Sequence, residues 1–160
     1  MKLIDIKDEF GWQYNKDYPK TKIAKTTTIG RDAWVADNAK VSENATIYGN
    51  AIIRGNAQLY ENAVVAGHSE VFGNAIIDGD GEILKTEDYM VIESPNRFFR
   101  HITLHRDKKI GIRISSYSYF YFSGTLQEYI FRHRKLNNQY FHHVMMTKYY
   151  EQLRDRMTPL

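Results

Sequence analysis

With no cysteine in its 160 residues, this chain leaves its chemistry to six histidines and a dense run of basic and aromatic side chains. The missing thiols exclude disulfides, thiolate metal sites and a cysteine nucleophile, and leave the redox compartment open. His68, in the stretch Ala66-Gly67-His68-Ser69, is the one candidate general base. A neutral imidazole there can take a proton from a hydroxyl or an amine. The competing reading is a corner residue tolerated where flanking units carry Asn. His101 and His105 are four apart, His142 and His143 are adjacent, and His133 stands alone. Residues four apart on one strand share a face at about 13 Å, too far to bind one metal ion, so no metal site is expected. Glu128 and Glu151 are isolated, which leaves no carboxylate pair for acid and base work. Thr125 and Glu128 instead form a Thr-x-x-Glu capping box that satisfies backbone donors at a helix start. The glycines are regularly spaced and do not make a phosphate-cradling loop.

The basic residues carry the stronger binding signal. Arg97, Arg100, Arg106, Lys108, Lys109 and Arg113 fall within seventeen residues, interleaved with Phe98, Phe99, His101 and His105. Arg97, Arg100, Arg106 and Arg113 are the candidates for contacts to phosphate or to an acidic partner, with Tyr117, Tyr119 and Tyr121 as stacking groups. The alternative is a solvated hairpin surface. Charge is divided along the chain: residues 1–83 carry a net −3 and residues 84–160 a net +6. The basic part is the C-terminal part.

The element that must carry these groups is a repeat. Nine six-residue units run from Ala33 without insertion, each with a small residue first and an aliphatic third, and most with Asn last. A period of six fits neither a helix nor simple strand alternation, and it is the signature of a stacked β-solenoid. Three units make one coil, so the aliphatics stack as Val35, Ile53 and Val71, as Val41, Leu59 and Ile77, and as Ile47, Val65 and Ile83. The Asn residues are expected at corners whose backbone conformation Asn and Gly tolerate best. So short a column needs caps at both ends. Ile4, Ile6, Phe10, Trp12 and Tyr14 alternate with polar residues as the N-terminal cap, followed by partial repeats around Ile23 and Ile29. From Tyr89 the period stops. Strands are expected at 89–93, 101–105 and 111–115, then a helix from Thr125 and a second one burying Tyr140, Phe141, Val144, Met145, Tyr149 and Leu153. The domain reading is therefore a cap and first partial coil over 1–26, a solenoid over 27–84 and a small α+β module over 85–160.

The units resemble the hexapeptide repeats of left-handed parallel β-helices. The fold implied is mainly β: a left-handed parallel β-helix of three or more coils followed by that α+β module. The layout, with Gly124-Thr125-Leu126 and Glu128-Tyr129 opening a helix, also resembles small β-helical proteins encoded by bacteriophages and mobile elements. In that group a Gly-Ser-Arg-Asn-type turn precedes a Thr-rich strand; here the stretch reads Glu93-Ser94-Pro95-Asn96-Arg97, followed by Ile102-Thr103-Leu104. The better-known hexapeptide proteins are acyltransferases that use acetyl-CoA, form trimers and place a general-base histidine near a subunit interface, a role only His68 fits. Those enzymes usually extrude a loop from their coils, and this chain has none.

The functional expectation is a non-catalytic, phage-type binding protein in counter-defence, which inhibits a host immune protein or sequesters an anionic nucleotide signal. An acyl-CoA-dependent acyltransferase and a structural virion or assembly component are the alternatives. No cofactor is expected, save acetyl-CoA under the enzyme reading. Trp34, Tyr48, Ile52, Tyr60, Val64, Phe72 and Ile76 point outward and are apolar, which predicts a homo-oligomer such as a trimer. There is no apolar run of about eighteen residues and no signal-peptide pattern, so a cytoplasmic protein of an infected or lysogenic bacterium is expected, with no membrane partner.

Overall fold

A computed structural model describes residues 1–6, 11–93, 99–118, 121–133 and 144–159, without the side chains of 99–100, 117–118 and 133. Strands β1 (Leu3–Asp5) and β2 (Trp12–Asn15) form an antiparallel hairpin that continues onto β3 (Tyr18–Ala24). Ten two-residue strands follow: β4 (Thr28–Ile29), β5 (Trp34–Val35), β6 (Lys40–Val41), β7 (Thr46–Ile47), β8 (Ile52–Ile53), β9 (Gln58–Leu59), β10 (Val64–Val65), β11 (Glu70–Val71), β12 (Ile76–Ile77) and β13 (Glu82–Ile83). They pair in parallel at a spacing of three strands, in the columns β3-β6-β9-β12, β4-β7-β10-β13 and β5-β8-β11. The result is a parallel β-solenoid of about three coils. The expected stacks are present, with Val35 on Ile53 on Val71 and the two other series in the same register. β3 already belongs to this stack, because Ile23 pairs with Val41.

Each coil is built from short strands because a corner interrupts every six residues. Small first residues, such as Ala39, Ala45, Ala51, Ala57 and Ala63, are fully buried where the faces meet, and the aliphatic third residues fill the centre. The left-handed backbone conformation falls one residue earlier than the Asn positions. It is adopted by Asp37, Glu43, Gly49, Gly55, Glu61, Gly67, Gly73 and Gly79, at φ between 55° and 71°. The asparagines have another task, stacking their side chains from coil to coil: Asn38 Nδ2 donates to Asn56 Oδ1 at 3.1 Å and Asn56 Nδ2 to Asn74 Oδ1 at 3.2 Å. The three acids tolerate a conformation that disfavours most side chains because each carboxylate accepts from the equivalent N–H of the next coil. Asp37 caps Gly55 N at 2.9 Å, Glu43 caps Glu61 N at 2.9 Å and Glu61 caps Gly79 N at 2.7 Å.

A short 3₁₀ turn (Thr86–Asp88) ends the solenoid. Strands β14 (Tyr89–Glu93), β15 (Phe99–Asp107), β16 (Gly111–Ser118) and β17 (Phe122–Gly124) then form an antiparallel meander, followed by helices α1 (Leu126–His133) and α2 (Met146–Arg156). Ile102, Leu104, Ile112 and Ile114 bury one face of this sheet with Phe122, Tyr129, Met146 and Leu153. The buried stripe of α2 is thus Met146 and Leu153, whereas Val144 is exposed; Tyr140 and Phe141 lie outside the described residues. The Thr125–Glu128 capping box forms as expected, with Thr125 N donating to Glu128 Oε2 at 2.8 Å and Glu128 N to Thr125 Oγ1 at 3.2 Å. Among the described residues, no helix is long and apolar enough to cross a membrane.

Candidate functional site

The other face of the meander is polar and closes the C-terminal end of the solenoid. Successive backbone N–H groups of the last coil would donate to a further coil, and here side chains replace it. Thr86 Oγ1 accepts from Glu70 N at 3.0 Å, the Tyr89 hydroxyl from Phe72 N at 3.1 Å and Thr103 Oγ1 from Ile76 N at 2.9 Å. Asp107 Oδ2 takes Asp80 N at 3.3 Å, and a bridge joins Gly81 to Asp107.

Between the two hydrophobic cores lies a buried polar layer that sequence reasoning missed. Asp78, His105 and Ser115 are fully buried. Ser115 Oγ donates to Asp78 Oδ1 at 2.5 Å, His105 Nε2 lies 3.2 Å from both of those oxygens, and its Nδ1 is 3.2 Å from Arg106 O. The Tyr121 hydroxyl donates to Asp78 Oδ2. Burial opposes ionisation of Asp78, but the His105 contact and the two hydroxyl donors outweigh it and hold the carboxyl below its ordinary range. Burial and the Asp78 carboxylate together push the Tyr121 phenol up. Serine, histidine and aspartate meet here, but not as a nucleophile with its base. The serine hydroxyl donates to the aspartate, both of those oxygens crowd the same imidazole nitrogen, Nε2, and Nδ1 faces the backbone oxygen of Arg106.

The basic cluster divides between this joint and residues outside the described set. Arg106 is buried, with Nη1 on Glu82, Nε on Thr158 O at 2.9 Å and Nη2 on Pro159 O at 3.0 Å. Arg113 Nε meets Asp107 Oδ2 at 2.6 Å, while Lys108 pairs with Glu82 at 2.6 Å and Lys109 with Asp80 at 2.7 Å. For Asp107, burial again opposes ionisation and is outweighed by Arg113 and by the Lys109 and Ile110 N–H groups, so its carboxyl is also lowered. Arg106 and Arg113 therefore bind the protein's own acids: Arg106 ties the module to Glu82 of the solenoid, and Arg113 braces Asp107 within the meander. Arg97 and Tyr119 lie outside the described residues, as do the side chains of Arg100 and Tyr117.

His68 takes the place of an Asn in the corner stack, its Nε2 3.1 Å from Asn50 Nδ2. Of the outward apolar residues, Ile76 is buried beneath the module and Trp34 is partly covered by the edge of Tyr18. Tyr48, Ile52 and Phe72 remain exposed, at 46%, 38% and 42%. Phe72 has the Arg54 guanidinium 5.2 Å from its ring centre and borders a cavity of about 490 Å³ at the junction of solenoid and module. No family model, no curated protein and no solved structure matches the chain. Geometry alone therefore carries the functional reading. Among the described residues, no group of three or more His, Asp or Glu is placed to hold a metal ion.

Proposed function

We propose that this is a non-catalytic binding protein of the phage type, with left-handed hexapeptide coils, that acts in counter-defence by engaging a host immune protein in the bacterial cytoplasm. The supporting observation is the contrast between its surfaces: Tyr48, Ile52 and Phe72 are exposed on a rigid exterior, whereas the Asp78–His105–Ser115 group is closed to solvent. Exposed apolar groups on a fixed frame lose little entropy on binding, which favours a stable complex. Tyr48 and Ile52 flank one corner of the prism and support lateral self-association into a homotrimer; Phe72, at the top of the column, is left for the partner.

A protein partner is favoured over a sequestered nucleotide because Arg106 and Arg113 spend their charge on internal carboxylates. The acyltransferase reading requires His68 as a base, and its Nε2 is engaged with Asn50. Native mass spectrometry of the protein isolated from its producing cells tests the proposal. A trimer carrying a stoichiometric host protein that Phe72→Ser releases supports it. Retained nucleotide would select sequestration, retained CoA would select the enzyme, and a ligand-free assembly would select a structural role; each of these overturns the proposal.

A further inference from the structure

The last coil of the solenoid turns three corners, and the chain itself closes two of them. A Cβ placed on Gly67 would stand 2.9 Å from Leu84 O, and one on Gly79 would stand 2.4 Å from the Arg113 guanidinium carbon. A Cβ on Gly73 would meet nothing within 4 Å, because the 490 Å³ cavity lies over that corner. It is bordered by Phe72, Gly73 and Asn74 of the coil and by Tyr89, Val91 and Arg156 of the module.

The same corner in the coils below shows what fits above it. Asn38 donates twice to the next coil, from N to Gly55 O at 2.9 Å and from Nδ2 to Asn56 Oδ1 at 3.1 Å. Asn56 repeats the pair, to Gly73 O at 2.8 Å and Asn74 Oδ1 at 3.2 Å. Asn74 presents the same two donors, and among the described residues neither has an acceptor. The neighbouring N–H groups of Glu70, Phe72 and Ile76 do have one, in Thr86, Tyr89 and Thr103. Gly73 itself keeps the clearance that an overlying chain needs: at Gly55, one coil below, a Cβ would stand 2.9 Å from Gly73 N. Beside these donors the Phe72 ring is set by the Arg54 guanidinium and by the edge of Tyr89, with ring centres 6.3 Å apart.

We propose that the Asn74 corner binds an extended segment of a partner polypeptide in which a small residue precedes Asn or Asp. The carbonyl of the small residue accepts from Asn74 N, the side-chain oxygen of the next residue accepts from Asn74 Nδ2, and a preceding apolar side chain lies on Phe72. This is strand addition at a corner, with the protein's own repeat as the template for its ligand. The inference rests on the binding-protein reading and names the chemistry of the partner.

The test is an amide NMR titration of the full chain with the blocked peptide Ala-Thr-Ile-Tyr-Gly-Asp-Ala, whose carboxylate can only accept. Backbone and side-chain amide signals of Asn74 should shift. Asn74→Asp should weaken binding about tenfold or more, since it replaces a donor with a repelling acceptor. Its melting temperature should hold, because the new carboxylate still accepts from Asn56. Exchanging the peptide's Asp for Leu should cause the same loss. Unshifted Asn74 signals, or equal affinity in Asn74→Asp, would overturn the proposal, as would acetate alone producing the same shifts. A host protein captured equally by wild type and Asn74→Asp would sink the corner while leaving the binding reading intact. Peptide binding without any host partner would do the reverse.

Discussion

The aliphatic stacks of the solenoid and the carboxylates of the layer joining it to the module are both fully buried but are held by opposite means. Inside the prism Val35, Ile53 and Val71 or Val41, Leu59 and Ile77 touch near-identical neighbours above and below, so a lost methyl is shared among similar contacts. In the joint each group has its own partner: Asp78 serves His105, Ser115 and Tyr121, and Asp107 serves Arg113 and the N–H groups of Lys109 and Ile110. Apolar repetition tolerates exchange and defines a shape. One-to-one polar pairing tolerates little and defines a single docking pose.

The sharpest way to break this contrast is Asp78→Ala, which strands buried donors and should cost about 3–5 kcal/mol, against about 1 kcal/mol for Ile53→Val in the stack. Urea unfolding of both variants measures this; equal costs would erase the distinction. Acid should attack the joint next. Asp78 and Asp107 have folded pKa values below the ordinary 3.8, so the unfolded chain takes up protons first as the pH falls. Their contribution is present in full above that value and is lost as pH drops through the lowered folded pKa. Urea midpoints taken at descending pH should fall most steeply below about pH 4, and Asp78→Asn should flatten that fall. A smaller contrast separates two corners. Gly49→Ala places a Cβ 2.8 Å from Gly67 O and should cost clearly more than Gly73→Ala, where only the left-handed backbone opposes the substitution at about 1 kcal/mol. Thermal melts that rank the two alike would contradict the open-corner geometry. His68→Asn should be nearly silent, within about 0.5 kcal/mol by the same melts, because it restores the residue carried by neighbouring units.

Strand position and register were legible because the six-residue period leaves one way to stack Val35 on Ile53 on Val71. The meander and the Thr125 cap were legible from local pattern. Corner chemistry was harder to read: the positive φ sits at Asp37, Glu43 and Glu61 as well as at glycines, and what permits it is a bond to the next coil eighteen residues on, which local propensity does not register. The joint was hidden for a similar reason. Arg106 and Arg113 look like a surface cluster in sequence, but Arg106 meets Glu82 once the meander folds back over the last coil, and Arg113 meets Asp107 across the β15–β16 hairpin. The opposite net charges of the two halves, together with Asp78, Asp80 and Glu82 crowded into the final units, were the signal available.

The eighteen-residue corner stacks have a consequence for how this protein can change length. Removing or duplicating one whole coil would lower or raise the column and leave the N-terminal hairpin and the C-terminal module facing as they do now. Removing a single six-residue unit would keep every strand pairable but turn one end against the other by about a third of a revolution. The repeat is thus a ruler for height and a dial for orientation, and changes to the gene in whole coils move only the ruler.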